Sequence, residues 1–422
     1  MKLLYLMSYA TPEKAASNYL GQNRNEAFVK QGWKIHLYVP TPCRGLSKEE
    51  RKKYCTKQYR REEKLSGGLI VHRFSMYSEG KNPILRALRY TLVSISHLFI
   101  GIFSKEAKSC DLIFTNSTPP IQGAIVAIVK KFTKQKFVYN LQDIFPDSLV
   151  GTGLAKRGGL LWKIGRAIEN FTYRNADKII VISEDFKRNI MAKGVPEEKI
   201  VVVYNWVDEE AVKHVAREEN KLFDKYNLDR SKFYITYCGN IGLTQNMDML
   251  LEVAKELEPE NDIQFVLIGE GAYKAKVQEI INEKQINNVT LLPFQPYEDI
   301  SHVFSLGDVG LVISKPGVGE NSVPSKTWSI LSASRPVLAN FDENELKEIV
   351  DKHKCGLFTK AGDKAAFTKA ILDLYRNGAQ CREMGENGRR FILENLTRAV
   401  GTQKYVDVIK MFEKGDKNDN FV

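Results

Sequence analysis

Short apolar, β-rich runs recur along the chain, and helical patterns of roughly 10–20 residues separate them. In the first half the runs predict strands over Lys2–Met7, Lys34–Val39, Leu69–Arg73, Leu112–Thr115, Phe137–Leu141, Lys178–Ile182 and Lys199–Val203. In the second half they predict strands over Tyr234–Cys238, Gln264–Ile268, Val289–Leu292, Val309–Ile313 and Pro336–Asn340. Ile179-Ile180-Val181-Ile182 and Phe265-Val266-Leu267-Ile268 are apolar on both sides, as central parallel strands covered on both faces must be. The opening Met1–Met7 reads as a first buried strand rather than a signal peptide, because no small-residue cleavage site follows it.

Alternating strands and helices mean βαβ units and doubly wound sheets. With 422 residues the chain is too long for one ordinary core. A polar break at Asn205–Asn220 divides it into an α/β protein of two Rossmann-like parallel-sheet domains facing a cleft. The expected spans are 1–205, 206–395 and a C-terminal helix with polar tail, 396–422, packing back on the first domain. Ligands in such sheets bind beyond the carboxyl ends of the strands. The six cysteines are scattered with no metal-ligand spacing, so a reducing cytoplasm and structural thiols are expected.

Charge is uneven. Residues 1–205 hold 34 Lys+Arg and 17 Asp+Glu, a net of +17, and the remainder holds 28 and 34, a net of −6. The first half should therefore meet something anionic. Ile84–Phe103 is apolar nearly all round, with Arg86 and Arg89 near its start. It reads either as a helix packed on the sheet or as one lying in a membrane interface, with Leu98, Phe99 and Phe103 as lipid-facing candidates. Lys156–Arg174 is a second basic amphipathic stretch. An anionic membrane surface is the expected partner; nucleic acid is not, since aromatics do not interleave the basic runs.

Several post-strand loops carry candidate chemistry. Ser322-Val323-Pro324-Ser325-Lys326 opens a helix, where free N–H groups and the Lys326 ammonium favour a diphosphate; an ordinary capped helix is the alternative. Gly239-Asn240-Ile241-Gly242 follows a buried strand and lets backbone approach an anionic ligand. Gly269-Glu270-Gly271 looks like a dinucleotide fingerprint, but Lys274 stands where its third glycine belongs, so a turn in a nucleotide-sugar site fits better. Phe294 is a candidate base platform or a core residue. Asp143 lies just after a strand, as a helix cap or as a group contacting the acceptor, and Ser117 and Thr118 occupy another post-strand loop.

In order and spacing, Asn140-Leu141-Gln142-Asp143-Ile144-Phe145-Pro146-Asp147-Ser148, Gly239-Asn240-Ile241-Gly242 and Ser322-Val323-Pro324-Ser325-Lys326 resemble the retaining glycosyltransferases of family 4 with the GT-B fold. The closest subgroup comprises fucosamine-transferase-like enzymes of O-antigen and capsule assembly. The resemblance implies transfer of a hexosyl or N-acetylhexosaminyl group from a nucleotide-sugar, usually UDP-linked, with no metal and no further cofactor. It implies a polyprenyl-diphosphate-linked acceptor at the inner face of the membrane, where the protein would sit peripherally. The nucleotide side would comprise Gly239, Asn240, Gly242, Gly269, Gly271, Phe294, Ser322, Val323, Ser325 and Lys326, and the acceptor side Asn18, Gly21, Ser117, Thr118 and Asp143. Catalysis would rest on Asp143, Lys326 and Glu320. Two departures stand out. Leu243-Thr244-Gln245-Asn246 lacks the family's Arg and Lys, which shifts the burden to Lys326, and Ser329 replaces the second glutamate of a pair begun by Glu320. A GT-B nucleotide-sugar epimerase and a non-catalytic nucleic-acid binder are the competing readings; the first would not explain the apolar helix, and the second has no RNA- or DNA-binding motif behind it.

Overall fold

A computed structural model describes residues 1–13, 18–80, 82–148, 156–319 and 323–413. The chain forms two compact units, Met1–Tyr204 with Thr402–Val422, and Asn205–Gly401. Each is a sheet covered by helices, and the topology follows from the burial pattern.

The first unit holds an eight-stranded sheet in the order β3-β4-β2-β1-β5-β6-β7-β8. Its strands are β1 (Lys2–Leu6), β2 (Lys34–Pro40), β3 (Arg61–Lys64), β4 (Leu69–Phe74), β5 (Leu112–Asn116), β6 (Lys136–Leu141), β7 (Lys178–Val181) and β8 (Ile200–Val202). All pair in parallel except β3, which lies antiparallel on β4 with Arg61 opposite His72. The hydrophobic pattern misses β3 because its sequence, Arg-Glu-Glu-Lys, is an edge strand kept polar against further pairing. Strand order reverses beside β1, so the loops after β1 and β5 diverge and leave a crevice there.

Among its helices, α1 (Asn18–Lys30) follows β1, and α2 (Pro83–Phe103) packs on α3 (Gln122–Thr133), which in turn packs on α4 (Leu160–Asn175). Helix α2 packs one face on the unit and leaves the opposite face exposed. One face, with Arg89, Val93, Ser94 and His97, is fully buried. Helix α2 approaches α3 tightly at Gly101, where a Cβ would lie 2.7 Å from Val129. The opposite face carries Ile84 (76% exposed), Leu88, Leu92, Ile95, Phe99 (57%) and Phe103 (67%) at helical spacing. Leu98 is not part of that stripe, because it packs against the core of the unit. Leu160, Leu161 and Ile164 on α4 are exposed as well. No helix among the described residues is long and apolar enough to cross a membrane.

The second unit holds a six-stranded parallel sheet, β11-β10-β9-β12-β13-β14. The strands are β9 (Phe233–Cys238), β10 (Ile263–Ile268), β11 (Val289–Leu292), β12 (Val309–Ile313), β13 (Val337–Phe341) and β14 (Gly356–Lys360). Phe265, Val266, Leu267 and Ile268 are all buried, as their unbroken apolar run requires. Strand β14 escapes the pattern because it is a half-covered edge strand. Order reverses between β9 and β12, placing the loops after these strands at the switch point. Helices α5 (Lys326–Ser332) and α6 (Gly378–Asn395) pack on each other, and α7 (Arg398–Lys410) carries the chain out of this unit at Gly401 and into the first.

Candidate active site

At the carboxyl edge of the second sheet the glycines do a specific job: they let two loops touch through their backbones. Gly239 N–H donates to Ile268 O (2.9 Å) and Ile241 N–H to Glu270 O (2.9 Å). A Cβ on Gly269 would sit 1.9 Å from Gly239 O, at a φ of +152° that side chains rarely adopt. One on Gly271 would sit 2.2 Å from Ile241 O. Lys274, in the place of a third fingerprint glycine, donates to Gly269 O (2.9 Å) and Glu270 Oε1 (2.7 Å), so it clamps the turn. Gly242 N–H is capped by Gln245 Oε1 at 3.0 Å, and Tyr237 Oη donates to Asn240 O at 2.6 Å.

Lys326 lies against this platform. Its Nζ is 3.7 Å from the centroid of the Tyr237 ring, a cation–π contact, and 3.5 Å from where a Gly239 Cβ would be. Burial pushes its pKa down to about 7. It forms no ion pair among the described residues. Lys326 opens α5, as its motif predicts, and is recessed beside the glycine loop. Ser325 is the N-cap and its side chain makes no cap hydrogen bond, while Pro324 and Val323 precede it as loop. At seven residues α5 is too short for much macrodipole, which leaves the charge of Lys326 as the dominant field. Glu320 and Ser322 lie outside the described residues.

A second cation, missed in the sequence because it belongs to a different loop, stands nearby. Lys315 follows β12, its N–H donates to Thr244 O (2.8 Å), and its Nζ lies 5.8 Å from the Tyr273 ring centroid. Chain distance hides this pairing; strand order at the switch point creates it. Phe294 is 72% exposed, and its backbone N–H bonds the Glu270 carboxylate, so it flanks the platform with a free ring.

The first unit presents its own carboxyl edge. Ser117 is buried, and its Oγ accepts from Gln142 N–H (3.0 Å) and Asp143 N–H (3.2 Å), stapling the β5 and β6 loops together. Thr118 beside it is exposed. The Asp143 carboxylate is bonded by the Ser148 hydroxyl (3.2 Å) and the Ile144 N–H; burial raises its pKa against both bonds. Asn18, the first residue of α1, donates from Nδ2 to Glu13 O, and Gly21 one turn on has only the Arg24 guanidinium near. These residues fall into separate places: Ser117 and Asp143 join, whereas Asn18 ties to the β1 loop.

That edge also holds groups with no local motif. Tyr9 Oη and Arg44 Nε donate to the buried Glu79 carboxylate at 3.0 and 2.8 Å, with Arg86 at 3.7 Å and Arg89 at 4.0 Å. Arg44 lies 3.9 Å over the Tyr9 ring and donates to Tyr90 Oη (3.0 Å). Glu13 accepts from the Cys43 and Arg44 backbone N–H groups, and three guanidiniums face the Glu79 carboxylate. Arg44 and Arg86 remain about two-fifths exposed (39% and 44%), and Arg86 lies in the first turn of α2 beside Ile84. Only the carboxyl ends of β1, β2 and β4 bring these residues together.

Comparison with known proteins agrees with this architecture. Residues 25–211 match Glycosyltransferase Family 4, and residues 218–391 match Glycosyl transferases group 1. A protein of Escherichia coli (strain K12) named as a colanic acid biosynthesis glycosyl transferase, WcaI, is 25% identical over 78% of this chain and 80% of its own. WbjE of Pseudomonas aeruginosa, named as a glycosyltransferase, is 23% identical over 74% and 78%. Among solved structures, Anabaena HepE in complex with UDP superposes with a TM-score of 0.72 at 15% identity, over 97% of this chain and all of that one. WaaG, a glycosyltransferase of lipopolysaccharide biosynthesis, gives 0.67 at 11% identity over 97% and 99%. With both halves matched in order and each sheet wound as its half requires, the chain is a GT-B glycosyltransferase, a family 4 half followed by a group 1 half.

Proposed function

We propose that the enzyme transfers a sugar from a uridine diphosphate sugar, with retention at the anomeric carbon, to a polyprenyl-diphosphate-linked saccharide at an anionic membrane surface. The product would enter a cell-surface polysaccharide. The observation that carries the donor assignment is Lys326. An ammonium recessed over the Tyr237 ring beside the glycine loop, with no ion pair among the described residues, is placed to meet an anion. A diphosphate supplies it. HepE, solved with UDP and with UDP-glucose, supports uridine as the nucleoside, and Phe294 offers a face for its base.

In the reaction the anomeric C–O bond to the diphosphate breaks and a bond to the acceptor hydroxyl forms on the same face. Lys326 and Lys315 stabilise the charge on the departing diphosphate. The acceptor proton passes to the leaving phosphate oxygen, with Asp143 orienting the hydroxyl or taking part of that proton. No protein nucleophile is needed.

The lipid side rests on the first unit. The stripe Ile84–Phe103 is a contiguous exposed apolar face on a half with a net charge of +17, the combination that lies in an anionic interface. Arg44 and Arg86 at its start would meet the acceptor's diphosphate. WcaI, by its name, acts in colanic acid biosynthesis, which supports a polysaccharide product. The test is turnover: a panel of UDP-sugars with a prenyl-diphosphate-linked saccharide in vesicles should yield one α-retained product. Transfer from every UDP-sugar failing while another nucleotide-sugar works would overturn the donor assignment. The competing epimerase and nucleic-acid readings have no observation in their favour.

A further inference from the structure

The opposite edge of the second sheet holds a cavity of about 420 Å³ that the transfer reaction does not use. Phe233 opens β9, Asp262 precedes β10, Asp308 precedes β12 and Pro336 precedes β13, so the cavity lies at the amino ends of these strands. Six residues of β9, at about 3.3 Å each, separate it from the Gly239 loop by roughly 20 Å. A ligand here cannot be part of the donor.

The lining is cationic in an unbalanced way. Arg217, Arg230, Lys232, Arg335 and Arg382 face Asp262 and Asp308. Three of the cations are matched: Arg217 to Asp308 at 2.5 Å, Lys232 to Asp262 at 2.9 Å, and Arg230 to Asp224 at 2.8 Å. Two are not. Arg382 enters no ion pair among the described residues. Arg335 donates from Nη2 to Ser305 O (2.9 Å), but its Nε is buried with no hydrogen-bond partner among the described residues. A buried guanidinium donor left unsatisfied is costly, and burial lowers its pKa against the pull of the Asp308 carboxylate, with the Arg217 charge adding to the fall. The first turn of α6 also lines the cavity through Gly378, Cys381 and Arg382, and its N-cap Asn377 makes no side-chain cap bond. Amides of an eighteen-residue helix therefore face the same space as the two guanidiniums. Phe233 and Tyr375, edge to face at 5.5 Å, form an apolar wall.

We propose that this cavity binds a small organic phosphomonoester, its phosphate held by Arg335 and Arg382 at the start of α6 and its body against Phe233 and Tyr375. Guanidiniums recognise phosphate through paired N–H donors, and an Nε without a partner is half of such a pair. The volume exceeds that of phosphate alone and falls in the range of small-molecule sites. Arg217, Arg230 and Lys232, each already paired, shape the wall without supplying the clamp.

The experiment is calorimetric titration of the intact protein, held in saturating UDP so that phosphate cannot enter the donor site. The probes are inorganic phosphate, glucose 6-phosphate and AMP, with chloride at equal ionic strength as the control. Saturable binding of at least one phosphomonoester, tighter than inorganic phosphate, is expected. Arg382→Gln should weaken it tenfold or more, and Arg335→Gln with Arg382→Gln should abolish it, while UDP affinity stays unchanged. Arg382 is exposed and partner-free, so the single variant keeps its fold even if the double one does not. Absence of saturable binding, or binding that Arg382→Gln leaves intact, would overturn the proposal. Failure of UDP itself to bind would count against the donor assignment above, and the dependence on Arg382 would still decide the cavity.

Discussion

The two carboxyl edges of this molecule are built by different means. In the second unit the edge is a backbone construction: Gly239, Gly269 and Gly271 let loops touch, and one recessed ammonium, Lys326, is set into them. In the first unit it is a side-chain construction, in which Arg44, Glu79, Tyr9 and Arg86 arrive from three strand ends. Backbone sites tolerate little substitution but need few identities. Side-chain sites spread their function, so no one residue should be decisive. The two edges should therefore respond differently to mutation.

The largest effect belongs to the single charge. Lys326→Met should lower turnover by about a hundredfold or more, the scale of losing one charge-stabilising donor. It should also raise the melting temperature at pH 7, because a desolvated ammonium costs folding free energy. The sign follows from the pKa: about 7 folded and 10.5 unfolded mean that the unfolded chain binds the extra proton between those values. The cost is full below pH 7 and fades as pH rises toward 10.5. A variant that loses turnover and gains stability would separate charge from packing; unchanged turnover would remove Lys326 from the site.

The second test turns to the distributed edge and its membrane face. Leu92→Ser, Ile95→Ser, Phe99→Ser and Phe103→Ser combined should weaken binding to anionic vesicles by tenfold or more while the protein stays folded, since all four are exposed. Salt should weaken the wild type without abolishing binding, because apolar burial is not screened. Leu98→Ser should instead destabilise, since that residue packs against the core. Flotation of the quadruple variant equal to wild type would mean that the stripe faces something other than lipid.

How much of this was legible in the chain follows the same division. Parallel strands buried on both faces, such as Phe265–Ile268, announce themselves as unbroken apolar runs. Edge strands do not: Arg61–Lys64 is polar because an unpaired edge must discourage partners. The glycine loops and the Lys326 helix are local in sequence and readable as motifs. Their detailed roles are not readable, since whether Gly269 meets a ligand or the Gly239 carbonyl depends on strand order. The Glu79 cluster and the Lys315–Thr244 contact are invisible for that reason. Helix α2 shows the limit of periodicity: an all-apolar circumference does not say which face the protein covers.

A subtler effect is expected on donor affinity. Binding a diphosphate raises the Lys326 pKa, so the complex holds a proton that the free enzyme has lost above pH 7. Between pH 7.5 and 9, where the phosphate of UDP is already fully ionised, affinity should fall by up to about tenfold per pH unit. Lys326→Arg, charged throughout, should flatten the profile. A flat profile in the wild type would mean that the ammonium is not desolvated.

The smallest and most discriminating effect concerns Asp143, which one backbone and one side-chain bond hold. Its carboxylate holds the Ser148 hydroxyl and the Ile144 N–H, both bonds that an Asn carbonyl can accept. Burial raises its pKa, which brings it nearer to what a proton acceptor at neutral pH requires. Asp143→Asn therefore keeps the loop and removes the charge. If Asp143 orients the acceptor or shares its proton, turnover should fall severalfold or more with UDP affinity unchanged, and the loss should be in kcat rather than in the KM for donor. If its work is to hold the turn with the Ser117 staple, turnover should survive, and only Asp143→Ala, which also removes the acceptor oxygen, should lower stability, by about 1 kcal/mol. Activity retained in the Asn variant and lost in the Ala variant would assign the residue to the scaffold.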